Sequence, residues 1–245
     1  MEDVRVVLKN GVEQKDLKGS VLITGFQGFG YTGYIATRHL KDRLKADNIG
    51  YIVTKSMIDL VLVERDHISL PYSIYMHDRS GDKLLILVNH AIPERSELYH
   101  YATALIKWVR ETGIRELVLI GGLDRRSREM DPEELRVLTL GGYSREIPAK
   151  RLEKDIYIVG PLAMLVALSE LNNVPALVVL PYSETSRPDP RAAAIAIELI
   201  NKLYRLNVEV ESLYEDERII REEREKIERY RRTAAERKKD EIPYM

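Results

Sequence analysis

Residues 21–33 read VLITGFQGFGYTG, and this stretch contains the end of one element, a turn and the start of another. The apolar, β-branched run from Ser20 to Thr24 is typical of a buried strand, and Gly25 ends it. After the glycine-rich turn, apolar side chains recur at helical spacing through about Leu44. A strand, a tight turn and a helix in this order predict the first unit of an α/β fold.

The same alternation recurs along the first 208 residues. Gly113 would end one helix, and Asp189 would cap the last one ahead of Pro190. We predict the following strands and helices: strands Val4–Leu8, Tyr51–Thr54, a hairpin of Ser73–His77 with Lys83–Asn89, Glu116–Ile120, Ile156–Val159 and Ala176–Leu180; helices Glu94–Thr112, Pro161–Leu171 and one from Pro190. Strands that alternate with helices imply a largely parallel sheet with helices on both faces.

The charged stretch from Gly121 to Arg151 interrupts this alternation. Asp131-Pro132-Glu133-Glu134 has the composition of a helix start, and Gly141-Gly142 has that of a turn. At the other end of the fold, Val208–Glu211 is a last strand or a linker.

Size and charge restrict the class of protein. The 245 residues suit one α/β domain, residues 1–208, followed by an appendage, residues 209–245. A net charge of −1 leaves no basic footprint for nucleic acid, and the absence of cysteine excludes disulfides and thiolate chemistry. We expect no membrane span, a cytoplasmic location and, from the 31% charged residues, a heat-adapted host.

The appendage is a charged arm with an apolar end. Residues 209–241 carry 12 acidic and 10 basic side chains, too polar to form a core of their own. Apolar side chains recur every seven residues, which predicts a helix that leans on the body or on a sister subunit, with a solvated helix as the alternative. This row consists of Leu213, Ile220, Ile227 and Ala234, with Tyr230 beside it. The chain then ends in Ile242-Pro243-Tyr244-Met245.

The turn after the first strand also matches a dinucleotide fingerprint, Gly28-x-Gly30-x-x-Gly33. That motif requires an acidic residue about 20 positions later to bind the ribose hydroxyls, and residues 51–55, YIVTK, contain none. The bulky Phe29 and Tyr31 stand where a pyrophosphate would approach the backbone. These departures favour a tight crossover turn over a nucleotide site.

The ends of the other predicted strands suggest a second kind of site. Parallel strands place their carboxyl ends at one edge of a sheet, so His90, Asp124 and Glu184 would line a polar pocket there with Gly28 and Gly30. In such a pocket the three side chains would do acid–base work. The alternative is ordinary turn chemistry at strand ends. No histidine shows metal-ligand spacing, and we predict neither a metal nor a cofactor.

Three segments in order resemble the proteasome assembly chaperone family and its archaeal homologues: residues 21–33, residues 113–122 (GIRELVLIGG) and residues 159–193, which open with Val-Gly-Pro. The resemblance implies a nucleoside-phosphorylase-like topology used as a binding scaffold rather than as an enzyme. It also implies association with the α-ring of the proteasome core particle through a C-terminal hydrophobic-tyrosine-any motif. The matching residues are Pro243, Tyr244 and Met245, with Ile242 before them.

The sequence therefore leads to one main hypothesis and two alternatives. The main hypothesis is a homo-oligomeric, non-enzymatic protein that binds the proteasome, as an assembly chaperone or an ATP-independent activator. The first alternative is an enzyme that acts on a nucleoside- or nucleotide-related molecule at the strand ends. The second is a self-assembling scaffold whose arm packs only on its own subunits.

Overall fold

The computed structural model describes residues 4–64, 68–79, 82–128 and 133–240, with side chains described through Arg231. Its strands are β1 (Val4–Leu8), β2 (Val21–Gly25), β3 (Asp47–Thr54), β4 (Leu62–Val63), β5 (Ile68–Ser69), β6 (Tyr72–Arg79), β7 (Asp82–Asn89), β8 (Glu116–Ile120), β9 (Leu123–Asp124), β10 (Leu135–Leu140) and β11 (Ala176–Ser183). Its α-helices are α1 (Thr32–Arg43), α2 (Leu98–Thr112), α3 (Pro161–Leu171), α4 (Pro190–Tyr204) and α5 (Glu211–Asp240).

The main sheet has the strand order β1-β3-β6-β7-β2-β8-β11-β10, with β9 beside the end of β11. The four central strands, β7, β2, β8 and β11, are parallel, and the outer pairs are antiparallel. The predicted α/β class is confirmed, and the parallel pairing that was expected for most of the sheet is found among these four central strands. The sheet as a whole is mixed because a hairpin, β6–β7, and the return strand β10 extend it by antiparallel pairing.

Helices cover both faces of the sheet. Alternate residues of β2 point to opposite sides, so Leu22 packs on the face covered by α2 and α3, and Ile23 packs on the face covered by α1 and α4. Every residue of β8 and β11 is buried, which explains their continuous apolar runs.

Two predicted elements are wrong. Residues 156–159 form an irregular segment rather than a strand, with Tyr157 92% exposed. No helix begins at Glu133 or Glu134; strand β10 follows at once and pairs with β11. Residues 131 and 132 of that prediction lie outside the described residues. Of the segment predicted as a last strand or a linker, residues 208–210 form a linker, and Glu211 begins α5.

Candidate functional site

The carboxyl ends of the central strands meet at one edge of the sheet, where the glycine-rich turn lies. Gly33 touches the end of β8 so closely that a Cβ atom there would lie 2.4 Å from the Ile120 carbonyl oxygen. Gly30 has φ +60°, and its carbonyl accepts the N–H of Asp189 at 2.8 Å. In the first turn of α1, the Tyr34 N–H already donates a hydrogen bond to the Phe26 carbonyl, so it is not available to a ligand. These contacts favour the crossover-turn interpretation of the glycines.

His90, Asp124 and Glu184 do not come together in one pocket. Asp124 lines one pocket and Glu184 lines another, while His90 lines neither. Glu184 pairs with Arg125 at 3.0 Å. Hydrogen bonds from Arg126 hold the pKa of Asp124 below its usual value. Both carboxylates are therefore engaged by arginines, and no acid–base group assembles from the three side chains.

His90 is buried behind helix α1. Its Nδ1 lies 3.4 Å from the Tyr34 hydroxyl, and its Nε2 has no hydrogen-bond partner among the described residues. Burial lowers the pKa of His90, with Glu64, Lys41, Arg38 and Asp42 as the charged groups around it. The ring is therefore neutral at pH 7 and has the surroundings of a packed side chain.

Lys41, which the sequence did not single out, is a buried charge with two partners. Its Nζ lies 2.6 Å from Glu64 Oε2 and 2.8 Å from Asp42 Oδ1. Burial by itself would lower the pKa of Lys41, but hydrogen bonds to the two carboxylates outweigh burial and raise it. Because Glu64 follows β4 and also accepts from Ser69 at 2.7 Å, this ion pair fastens the β4–β5 hairpin to α1.

The pocket that does form at the strand ends is apolar. It has a volume of about 450 Å³ and lies between the glycine-rich turn and the segment 156–161. Its wall includes Phe26, Leu162 and Leu180, and the side chains of Tyr157 and Val159 also line it. The sequence did not indicate this groove, because the apolar residues 156–159 are as suitable for a strand, which was predicted there, as for an exposed loop.

The arm is attached to the body through its first turns. Leu213 is buried against the cluster under α1 and α4, and Ile220 is half-buried. Arg187 binds Glu217 through two hydrogen bonds, of 2.7 and 2.8 Å, and both side chains are mostly buried. The Tyr214 hydroxyl donates to Glu198 of α4 at 2.8 Å. The start of α5 therefore has a fixed direction relative to the sheet.

Beyond these turns the arm is exposed. Ile227 is 50% exposed and Tyr230 is 75% exposed, so these two apolar side chains of the arm are largely open to solvent. The ion pairs of this part run along the helix, such as Arg224 with Glu228. Arg221 and Arg224 line a groove with Arg125 and Glu184 of the strand-end loops, which places the exposed arm at the carboxyl edge. The four residues Ile242, Pro243, Tyr244 and Met245 lie outside the described residues.

The described ranges lack two further features. No group of three or more His, Cys, Asp or Glu side chains there is placed to hold a metal ion. Within the same ranges no helix is both long and apolar enough to cross a membrane.

The sequence matches a known protein family, and the fold is similar to those of several solved structures. The protein-family model that is described as PAC2 family matches residues 22–228 of this chain. An uncharacterized protein of Methanocaldococcus jannaschii is 23% identical over 237 residues, which cover 93% of this chain and 90% of that protein.

Two solved structures from Pyrococcus furiosus share the fold. PbaA, described as an archaeal homolog of proteasome-assembly chaperone, has a TM-score of 0.77 and 22% identity over 98% of this chain and 100% of its own. PbaB, described as an archaeal proteasome activator, has a TM-score of 0.75 and 20% identity over 93% of this chain and 100% of its own.

Proposed function

The chain belongs to the PAC2 family, and from this premise we propose that it is a non-enzymatic protein that binds the proteasome core particle. It has a body, residues 1–208, and an arm, residues 209–245, whose last residues dock into pockets of the α-ring. It acts as a homo-oligomer, in the cytoplasm with the core particle, as an assembly chaperone or an ATP-independent activator. Support comes from the two similar structures, whose descriptions concern proteasome assembly and activation.

The observation that carries this proposal is the geometry of the arm. Helix α5 has 30 residues, which corresponds to a length of about 45 Å. Its first turns pack on the body, and the ion pairs shown between residues 218 and 228 are internal to the helix. A helix that is anchored at its start and largely exposed between Arg218 and Arg231 is suited to carry its last residues toward a distant partner.

The terminal residues have the chemistry that a docking peptide needs. Tyr244 offers an aromatic ring with a hydroxyl that can find a partner in a pocket, and the terminal carboxylate can pair with a lysine. Pro243 restricts the backbone, so less entropy is lost when the peptide inserts. A single tail of this size binds weakly, and several tails on one oligomer gain avidity on a symmetric ring.

The non-enzymatic part of the proposal is supported by the strand-end residues. Asp124 and Glu184 are held by arginines, and His90 is packed behind Tyr34. The groove that Asp124 lines has a largely apolar wall. A catalytic acid–base pair would instead need groups that face a shared pocket with their protons available.

Substitution of Tyr244 by alanine tests the docking. We expect co-sedimentation with the core particle to weaken at least about tenfold, because a buried aromatic anchor commonly contributes 2 kcal/mol or more to a contact. The matched control is Tyr230→Ala, since Tyr230 is an exposed tyrosine of the same arm. Undiminished binding by the Tyr244 variant, or an equal loss in both variants, would contradict tail docking.

Two assays separate activation from assembly. An activator raises the rate at which the complete core particle hydrolyses peptides, and the Tyr244→Ala variant should lose that effect. An assembly chaperone instead raises the yield of complete particles from separate subunits while leaving their peptidase rate unchanged.

A further inference from the structure

Five exposed apolar side chains line the strand-end groove. This surface, the edge patch, consists of Phe29, Ile92, Ile156, Tyr157 and Val159, all of which line the groove. Tyr157 is 92% exposed and Val159 is 69% exposed, and the other three are between 36% and 41% exposed. Large side chains in an irregular segment are therefore displayed to solvent around an apolar hollow.

The size of the edge patch sets it apart from scattered surface residues. With ordinary side-chain areas, the five residues expose on the order of 500 Å² of largely apolar surface, which is toward the upper limit for a monomer. A standard protein interface buries about 800 Å² per partner, and roughly 65% of an interface core is apolar. The exposed area of the patch is thus comparable to the apolar area that one partner contributes to a standard interface.

We propose that the edge patch is the contact surface between two copies of this chain. Charge permits the contact, because two acidic side chains near the groove are already paired with arginines within the chain: Asp124 with Arg126 and Glu184 with Arg125. Pairing of these carboxylates lowers the like-charge repulsion between two identical surfaces. The net charge of −1 likewise opposes association very little.

The groove gives the contact a specific anchor. Tyr157 of one copy enters the groove of the other, since a volume of about 450 Å³ accommodates a tyrosine side chain. Gln27, Asp124 and Ser127 line the same groove and offer polar partners to the incoming hydroxyl. An aromatic ring in a desolvated pocket with a satisfied hydroxyl is the usual form of an interface hot spot.

The location of the patch connects it with the arm. Arg221 and Arg224 of the arm approach the loops at the same carboxyl edge, so copies joined through the patch present their arms close together. This part of the inference rests on the proposed function, because it accounts for the avidity that weak single tails require. The contact surface itself rests only on the exposure, the groove and the paired charges.

The test is the mass of the full chain in solution, measured by sedimentation equilibrium at about 10 µM. We expect the wild-type mass to be at least twice the 28.3 kDa of one chain. Tyr157→Asp combined with Val159→Asp places charge in the contact and should weaken association at least about 100-fold. Leu171→Asp is the control, because Leu171 is 77% exposed and stands at the far end of α3, so its mass should equal that of the wild type.

Three results would overturn the proposal: a wild-type mass of 28.3 kDa, an unchanged mass in the double variant, or an equal loss in the Leu171 control. A monomeric wild type whose groove binds an apolar dye would show that the groove serves a small ligand instead. Circular dichroism of the double variant confirms that it folds, as expected for two side chains that already face solvent. Tyr244→Ala must leave the mass unchanged, so failure of tail docking and failure of the edge contact are distinguishable.

Discussion

Gly33 is the residue on which the first crossover depends. Helix α1 begins so close to the sheet that the Cα atom of Gly33 would lie 2.5 Å from a Cβ placed on Gly25. A Cβ on Gly33 would in turn lie 2.4 Å from the carbonyl oxygen of Ile120. Both contacts involve backbone atoms, which cannot rotate away as a side chain can. The absence of a side chain at these positions therefore sets the distance between helix and sheet.

Gly33→Ala should lower the free energy of unfolding by about 1–3 kcal/mol, because a methyl group must push apart a strand and a helix. The measurement is urea unfolding of the two single variants Gly33→Ala and Gly28→Ala. A Cβ on Gly28 meets nothing within 4 Å, so we expect its variant to change stability by less than about 1 kcal/mol. Equal losses in both variants would mean that the space at Gly33 does not decide the packing.

Helix α5 is divided between an anchored start and an exposed remainder. Glu217 accepts two hydrogen bonds from Arg187, and the two side chains are only 13% and 16% exposed. Glu222, five residues later, pairs with Arg218 on the exposed side, where both are about half exposed. Pairs that are buried and bidentate hold a fixed geometry, whereas exposed pairs along a helix contribute little.

Glu217→Ala should loosen the base of the arm. Its removal leaves the guanidinium of Arg187 mostly buried without its partner carboxylate, at a cost of about 2 kcal/mol. In hydrogen exchange, the amides of residues 213–221 should exchange at least about tenfold faster. The control Glu222→Ala removes the same side chain from an exposed pair and should change those rates by less than about threefold. Equal effects would show that the Arg187 contact does not hold the arm.

The whole molecule places the apolar edge patch and the charged arm at one edge of the sheet. The edge patch surrounds the ends of the parallel strands, and the arm leaves the body beside the same loops. The length of the exposed arm then decides how far from the body the terminal residues lie. In the proposed function this length is matched to the spacing of pockets on a ring.

Deletion of residues 224–230 tests the importance of arm length. Seven helical residues remove about 10 Å and nearly two full turns, so the remaining helix keeps its face. We expect binding to the core particle to fall at least about tenfold, because the tails no longer span their sites together. The control replaces the same seven residues by a helix-forming sequence of equal length, which should bind like the wild type. Binding of the shortened variant as tight as that of the wild type would contradict the idea that arm length lets several tails reach their pockets together.

Local pattern predicted much of the fold. The continuous apolar runs of β8 and β11 predict strands that are buried on both faces, and the periodicity of α2 predicts an amphipathic helix. The two patterns are distinct because these structures space their apolar residues differently. The sequence also predicts that Asp189 caps α4, and the Asp189 carboxylate accepts the Ala192 N–H at 3.0 Å. The segment Ile156–Val159 is irregular rather than the predicted strand, because a short apolar run is compatible with an exposed segment as well as with a strand.

The sequence by itself determined the α/β class, the order of the strands and helices that alternate, and the charged arm with its apolar end. Those features follow from spacing and composition within about 20 residues. Only the tertiary structure decided which strand-end side chains meet: it separated His90 from Asp124 and Glu184 and gathered Phe29, Ile92 and Tyr157 around one groove. These residues are far apart in the chain, and the distances between them depend on sheet order and helix packing, which no local pattern contains.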